Sequence, residues 1–228
     1  LGTSRKILVA STNPGKVAEI RAMLGAGIQW VGLSDFSGLA GIKEDGATFA
    51  ENARKKALGY AKATGLWTIT DDSGLVIVKS ARFCDSHRRD RKARGDFLSF
   101  ILCRLCVLCV KTLQVKDKDR KLLDHKNMAK VLKLLEGVPK EKRTARFVCR
   151  LCLASPIKVL VETEGTLEGL IIGREIGENG FGYDPIFFVP RLNKTVAQLT
   201  TEEKNAISHR GNALRKLKPL FEELLKSW

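Results

Sequence analysis

Leu66-Trp67-Thr68-Ile69-Thr70-Asp71-Asp72-Ser73-Gly74-Leu75-Val76-Ile77-Val78 is an apolar run with two adjacent carboxylates at its centre. β-Branched and aromatic residues fit a pleated surface, so residues 67–69 predict one buried strand and residues 75–78 a second. The segment between them, Thr70-Asp71-Asp72-Ser73-Gly74, admits two readings. Asp, Ser and Gly are ordinary turn formers and Gly74 can supply positive φ, which makes a plain polar turn. Two carboxylates set against buried strands also suit a divalent cation and an activated water, because Mg²⁺ takes carboxylate oxygens together with substrate phosphates. The five residues alone favour the turn; the rest of the chain decides.

Upstream, residues 6–10 form a short apolar run that ends in Ser11-Thr12-Asn13-Pro14-Gly15-Lys16. Val17, Ile20, Met23 and Leu24 then recur at helical spacing. Such a strand, polar turn and helix start places backbone N–H groups and a lysine at a helix N-terminus, a favourable position for phosphate. An ordinary strand-to-helix connection has the same pattern, and the G-x-x-x-x-G-K-[ST] spacing of a P-loop is absent. Further on, the acids Glu44 and Asp45 precede Thr48-Phe49-Ala50-Glu51, a capping-box pattern. It predicts a helix from Phe49 to about Ala63 that stops near Gly65, with Ala53, Ala57 and Ala61 on a close-packing face. Lys55, Lys56 and Lys62 read as a solvated face; Lys56 becomes a phosphate contact if the helix borders a phosphate site.

Downstream the character changes. Residues 79–126 hold fourteen Lys and Arg against six Asp, and four of the six cysteines, so they carry half of the chain's net charge of +15. Cys103, Cys106 and Cys109 have a spacing that could ligate a metal, but no fourth ligand or glycine knuckle accompanies them, and free cysteine is a common buried hydrophobe. The run Arg88-Arg89-Asp90-Arg91-Lys92-Ala93-Arg94 is either a solvated stretch or a nucleic-acid contact. Helical spacing returns with Met128, Val131, Leu132 and Leu135. Residues 144–154, 158–162 and 165–172 then predict three strands. Gly180-Phe181-Gly182-Tyr183-Asp184-Pro185 follows, a turn whose aromatic could stack on a base or plug the end of a core. Thr201 is the expected cap of a helix bearing Lys204, Ser208, His209 and Arg210, and a final apolar helix is expected to be interrupted at Pro219.

The chain's 228 residues suffice for one large domain with a substantial core, and 44% hydrophobic with 29% charged residues is the composition of a soluble globular protein. A net charge of +15 suits nucleic acid, a membrane surface or an anionic small substrate, without choosing among them. No apolar stretch reaches the roughly 18 residues of a membrane span. The cysteines do not form a secreted disulfide framework, which makes reduced thiols and a cytoplasmic location the expectation.

Five blocks taken together closely resemble the inosine triphosphate pyrophosphatase family: Thr12-Asn13-Pro14-Gly15-Lys16, Glu44-Asp45-Gly46 with Thr48-Phe49 and Glu51-Asn52-Ala53, Asp71-Asp72-Ser73-Gly74-Leu75, Gly180-Phe181-Gly182-Tyr183-Asp184-Pro185, and Glu203-Lys204 with Ser208-His209-Arg210. They occur in the family's order. The resemblance implies a single α/β domain over residues 1–228, elongated and two-lobed around a central mixed sheet with flanking helices, and a nucleotide cleft between the lobes. It implies a homodimer, and Mg²⁺-dependent hydrolysis of ITP, dITP or XTP to the monophosphate and pyrophosphate. Carried onto this chain, Thr12, Asn13, Lys16, Lys56 and Ser73 bind the substrate's phosphate end. Glu44, Asp71 and Asp72 hold the metal and the attacking water, with Asp72 as general base and Glu44 and Asp72 as metal ligands. Phe181 stacks on the purine, and Asp184, Lys204, Ser208, His209 and Arg210 line its edge.

The chain departs from the family after residue 78. The glycine-proline loop that precedes Ser-Ala-Arg in the family is missing before Ser80-Ala81-Arg82, and family character lapses until about Asn127. Poor order or rearrangement is expected there. Two alternatives follow from this segment: a nucleotide-binding relative with impaired catalysis, and a nucleic-acid-binding module that uses the basic run.

Overall fold

The computed structural model of the protein describes residues 5–25, 27–78, 107–110 and 120–227. The elements are β1 (Lys6–Val9), α1 (Pro14–Leu24), β2 (Gln29–Gly32), α2 (Phe49–Thr64), β3 (Trp67–Val78), β4 (Val107–Val110), α3 (Arg120–Leu134), β5 (Thr144–Ala154), β6 (Val159–Ile171), β7 (Phe187–Val189), β8 (Lys194–Thr195), α4 (Thr201–Ile207) and α5 (His209–Lys226). The strands form one sheet in the order β2-β1-β3-β5-β6-β7-β8, with β4 on β3. β1 runs parallel to β2 and β3, whereas β3–β4, β6–β7 and β7–β8 are antiparallel. This is the expected α/β fold with a mixed sheet.

Two compact units divide the chain: Leu1–Ser73, Val148–Thr166 and Asn205–Trp228 in the first, Gly74–Phe147 and Leu167–Lys204 in the second. In the first, the sheet is buried on both faces, and the strand period of two sorts its side chains. Ile7, Val9, Ile69, Cys149, Leu151 and Leu153 join Ile20 and Leu24 of α1 and Leu214, Leu217 and Phe221 of α5 in one core cluster. On the opposite face Cys152 and Ala154 pack on Ala53 and Ala57 of α2, and Leu8 and Ala10 on its Tyr60. The small-residue face expected of α2 is therefore its contact surface with the sheet. In the second unit the Phe147 and Phe187 rings stack with centroids 4.3 Å apart.

The helix ends follow their local chemistry. Asn13 caps α1, accepting from Gly15 N at 3.0 Å and Lys16 N at 3.4 Å, with Pro14 at the first helical position. Thr48 caps α2, but Glu51 reaches one residue further back than a capping box requires, to Ala47 N at 2.7 Å. Gly65 closes α2 in the left-handed region, at φ 73°.

Four expectations need correction. The acidic segment is not a turn: β3 continues from Trp67 to Val78 without a break, and Gly74 is not among the glycines with positive φ. Pairing of residues 67–69 with β1 and of 75–78 with β4 holds both halves of the strand in the sheet. The second and third strands expected after residue 154 are one, β6. Gly165 lies inside it because His209 O and Ala213 N of α5 come within 2.0 and 2.4 Å of where a Cβ would stand. The cap of α4 is Thr200 rather than Thr201, in a reciprocal pair with Glu203: Glu203 N donates to Thr200 Oγ1 at 3.2 Å and Thr200 N to Glu203 Oε2 at 2.8 Å. Finally, α5 passes through Pro219, which sits on the solvent side, where the carbonyl of Arg215 that loses its helical donor can be hydrated.

Cys149 and Cys152 are both free thiols. Ser80-Ala81-Arg82, the basic run 88–94, Cys103 and Cys106 lie outside the described residues, as does most of the segment expected to be rearranged; Cys109 is on β4. Among the described residues no helix is long and apolar enough to cross a membrane.

Candidate active site

Continuity of β3 sends its two carboxylates to opposite faces of the sheet, since successive Cβ atoms alternate. Asp71 shares the face of Ile69, toward α1 and α5; Asp72 shares the face of Thr70, whose hydroxyl donates to Ala53 O of α2 at 2.7 Å. Adjacent in sequence, the two acids meet different surroundings.

Asp71 is saturated. Lys16 Nζ and Ser73 Oγ, the latter at 2.9 Å, donate to its Oδ1, while Arg210 Nε at 2.8 Å and the Cys149 thiol at 3.0 Å donate to its Oδ2. Four donors fill the lone-pair sites of one carboxylate, leaving none for a metal or a water. Burial pushes the acid up, but the charges of Arg210 and Lys16 outweigh it and hold Asp71 well below the ordinary value of 3.8. The same burial, reinforced by the Asp71 charge, drives the Cys149 thiol well above its usual range, so it stays protonated and donates.

Asp72 has the opposite balance. Its Oδ1 lies 3.4 Å from Lys56 Nζ, and its buried Oδ2 has no hydrogen-bond partner among the described residues. Burial raises its carboxyl, Lys56 lowers it, Glu44 and Asp71 raise it again, and the net result is a value above 3.8. Lys56 Nζ also donates to Asp71 O at 2.8 Å and lies 3.5 Å from Glu44 Oε2. One buried ammonium thus stands beside two carboxylates, Glu44 and Asp72, that bring negative charge to one place.

The second unit carries a separate constellation. Lys204 Nζ donates to Asp184 Oδ2 at 2.8 Å and stands 4.2 Å from the centroid of the Phe181 ring. Phe181 N donates to the same Asp184 oxygen at 2.9 Å. Positive φ at Gly180 and Gly182, 79° and 66°, shapes the turn, and a Cβ at Gly180 would stand 2.2 Å from Asp184 Oδ2. Phe181 and Asp184, from one sequence block, and Lys204, from another, are brought together here.

The remaining expected residues divide. Thr12 is exposed beside the Asn13 cap. Ser208 caps α5, accepting from Gly211 N at 2.9 Å, and His209 is nearly buried in the first turn of that helix. The Arg210 guanidinium, expected at a base edge, is directed to Asp71, to Glu19 Oε2 at 2.5 Å and to Ser73 Oγ at 3.1 Å. Glu19 and Cys149 were not singled out. Glu19 had a signal, since it follows Lys16 by three residues and shares its helix face; Cys149 had only strand parity.

A sequence profile of the Ham1 family matches residues 7–89 and 110–220. The chain belongs to the Ham1 family. The match is interrupted between residues 89 and 110. Among curated Ham1 relatives, the dITP/XTP pyrophosphatase of Desulforamulus reducens is 40% identical over 96% of each chain. That of Bacillus subtilis is 38% identical over 96% of this chain and 98% of its own. The solved HAM1 protein of Coxiella burnetii superposes with a TM-score of 0.72 at 36% identity, over 96% of this chain and 99% of that one. The Staphylococcus aureus Ham1 protein gives 0.70 at 31%, over the same shares.

Proposed function

We propose that this Ham1 protein hydrolyses the non-canonical purine nucleoside triphosphates ITP, dITP and XTP to the monophosphate and pyrophosphate. The observation that carries the reading is Asp72, a buried carboxylate with a raised pKa and one oxygen without a hydrogen-bond partner among the described residues, next to Lys56 and Glu44. A general base needs that combination: a lone pair not already taken and an affinity for a proton above that of an ordinary carboxylate. The names of the relatives, dITP/XTP pyrophosphatases, support the substrate class.

In this reading Asp72 takes the proton of a water as its oxygen bonds to the α-phosphorus. The bond from that phosphorus to the bridging oxygen breaks, and pyrophosphate leaves with the electron pair. Phosphoryl transfer depends chiefly on placement and charge neutralisation. Lys16, held at the start of α1 by the Asn13 cap, and Lys56 supply cations for the triphosphate; Thr12, Asn13 and Ser73 complete its polar surroundings. Asp71 keeps Lys16 and Arg210 in place. Glu44 and Asp72 fit a Mg²⁺ ion, because that ion is commonly held by one or two carboxylates plus phosphates and waters, and their two carboxylates stand together beside Lys56. When bound, the ion neutralises phosphate charge. Among the described residues no three acidic, His or Cys side chains form a cage, so substrate phosphates would complete its coordination.

Phe181 is assigned to stacking on the purine, with Asp184 and Lys204 at its edge. Hypoxanthine and xanthine carry a 6-oxo acceptor where adenine has an amino donor, so cationic donors discriminate against adenine. A homodimer and a cytoplasmic location belong to the same proposal.

The deciding experiment is turnover with Mg²⁺: pyrophosphate release from ITP is expected to exceed that from ATP by at least about a hundredfold, the scale set by a hydrogen-bonding mismatch at a buried edge. Equal rates would overturn the specificity.

A further inference from the structure

The turn that presents Phe181 is held from outside as well as from within. Its two central amides are consecutive, and each is taken by a carboxylate: Phe181 N by Asp184, three residues on, and Gly182 N by Asp124 Oδ2 of α3 at 2.8 Å. Asp124 is 7% exposed. Asn127, at i+3 on the same helix face, is 4% exposed. Burying a carboxylate and an amide on one face of a helix costs stability unless they are put to use. Across from them Tyr183 is 5% exposed, and its phenol is pushed far up by burial and then by the Asp124 charge. A helix that only packed would place apolar residues at 124 and 127, as α3 does at Leu123, Met128 and Val131.

We propose that Asp124, by accepting the Gly182 amide from α3, is a positioning residue that sets the Phe181 ring as the platform for the nucleobase. Asp124 does not touch the base; it acts through the turn. The inference rests on the assignment of Phe181 to base stacking and adds a second support that residues 180–185 alone do not contain. It also gives α3 a role in holding the base platform, although its sequence is not part of the motifs that mark the site.

The test separates base from phosphate. Inosine monophosphate and inorganic pyrophosphate are titrated by calorimetry into wild type, Asp124→Ala and Asp124→Asn, and ITP kinetics are measured on the same three. Asp124→Ala is expected to weaken inosine monophosphate about tenfold, the scale of a largely lost base–aromatic stack. It should raise the ITP KM similarly, with kcat and pyrophosphate affinity within about twofold of wild type. Asp124→Asn, whose Oδ1 still accepts the amide, should restore most of both. If Asp124→Ala does not fold, Asp124→Glu displaces the acceptor and is expected to give the same split. Equal weakening of both ligands, unchanged inosine monophosphate binding, or an asparagine variant no better than alanine would each overturn the proposal, as would a wild type that binds no inosine monophosphate. A wild type that binds both ligands but leaves ITP intact would defeat the hydrolytic reading while leaving this one judged by the binding data.

Discussion

Asp72→Asn is expected to lower kcat on ITP by about 10²–10⁴-fold, the range for losing a general base, while the thermal midpoint stays at or slightly above that of wild type. The substitution keeps shape and an oxygen toward Lys56 but cannot accept the proton of the attacking water. Stability should survive because the folded protein raises the Asp72 carboxyl. A group whose folded pKa is raised opposes folding when ionised, so at neutral pH a neutral amide removes a cost rather than a gain. Steady-state kinetics with a melting curve on the same preparation checks both halves. A kcat within fivefold of wild type would take the base away from Asp72; a large drop in the midpoint would make it a structural acid.

One residue earlier the expectation reverses. Asp71→Asn removes the anion that Arg210 and Lys16 share, leaving fully buried Arg210 with Glu19 as its remaining carboxylate. Removing one partner of a buried ion pair costs about 3–5 kcal/mol, which for a chain of this size lowers the thermal midpoint by roughly 10 °C. The pH dependence has a definite sign. Because the folded pKa of Asp71 is depressed, its stabilisation is complete above the ordinary value of 3.8 and is lost as pH falls through the lower folded value. Wild type and Asp71→Asn should therefore differ by a constant amount in chemical denaturation from about pH 5 to pH 8 and converge in strong acid. A midpoint shift below about 1 °C at neutral pH would refute the assignment. The two neighbouring aspartates thus make a paired experiment, with turnover lost at one position and stability at the other.

How the acid pair was legible follows from strand geometry. Residues 66–78 carried the signal for buried strand on both sides of the carboxylates, and their composition was also that of a turn. Asp, Ser and Gly favour turns through local hydrogen bonds and backbone freedom, yet here pairing with β1 on one half and β4 on the other keeps the chain extended through them. Local preference was outweighed by ladder bonds to strands distant in sequence. The same reason merges residues 159–171 into one strand across Gly165, whose missing Cβ records the approach of α5. Pro219 departs from the expectation for a simpler reason: on the solvent side the carbonyl it frees can be hydrated, and the helix continues through it.

The sequence by itself determined the α/β class, the start of α2 at Thr48 and its stop at Gly65, and the family, because those depend on residue types at short spacing and on motif order. Local chemistry at that range is written in the chain directly. It also marked Asp71, Asp72, Lys16, Lys56, Glu44, Phe181, Asp184 and Lys204 as residues of interest. Only the tertiary structure decided what separates Asp71 from Asp72. A period of two puts them on opposite faces of β3, and the side chains that await each one come from positions as distant as Lys16, Cys149 and Arg210 on one face and Glu44 and Lys56 on the other. On the first face Arg210 and Lys16 outweigh burial and keep Asp71 ionised well below 3.8; on the second, burial and the neighbouring carboxylates outweigh Lys56 and raise the proton affinity of Asp72.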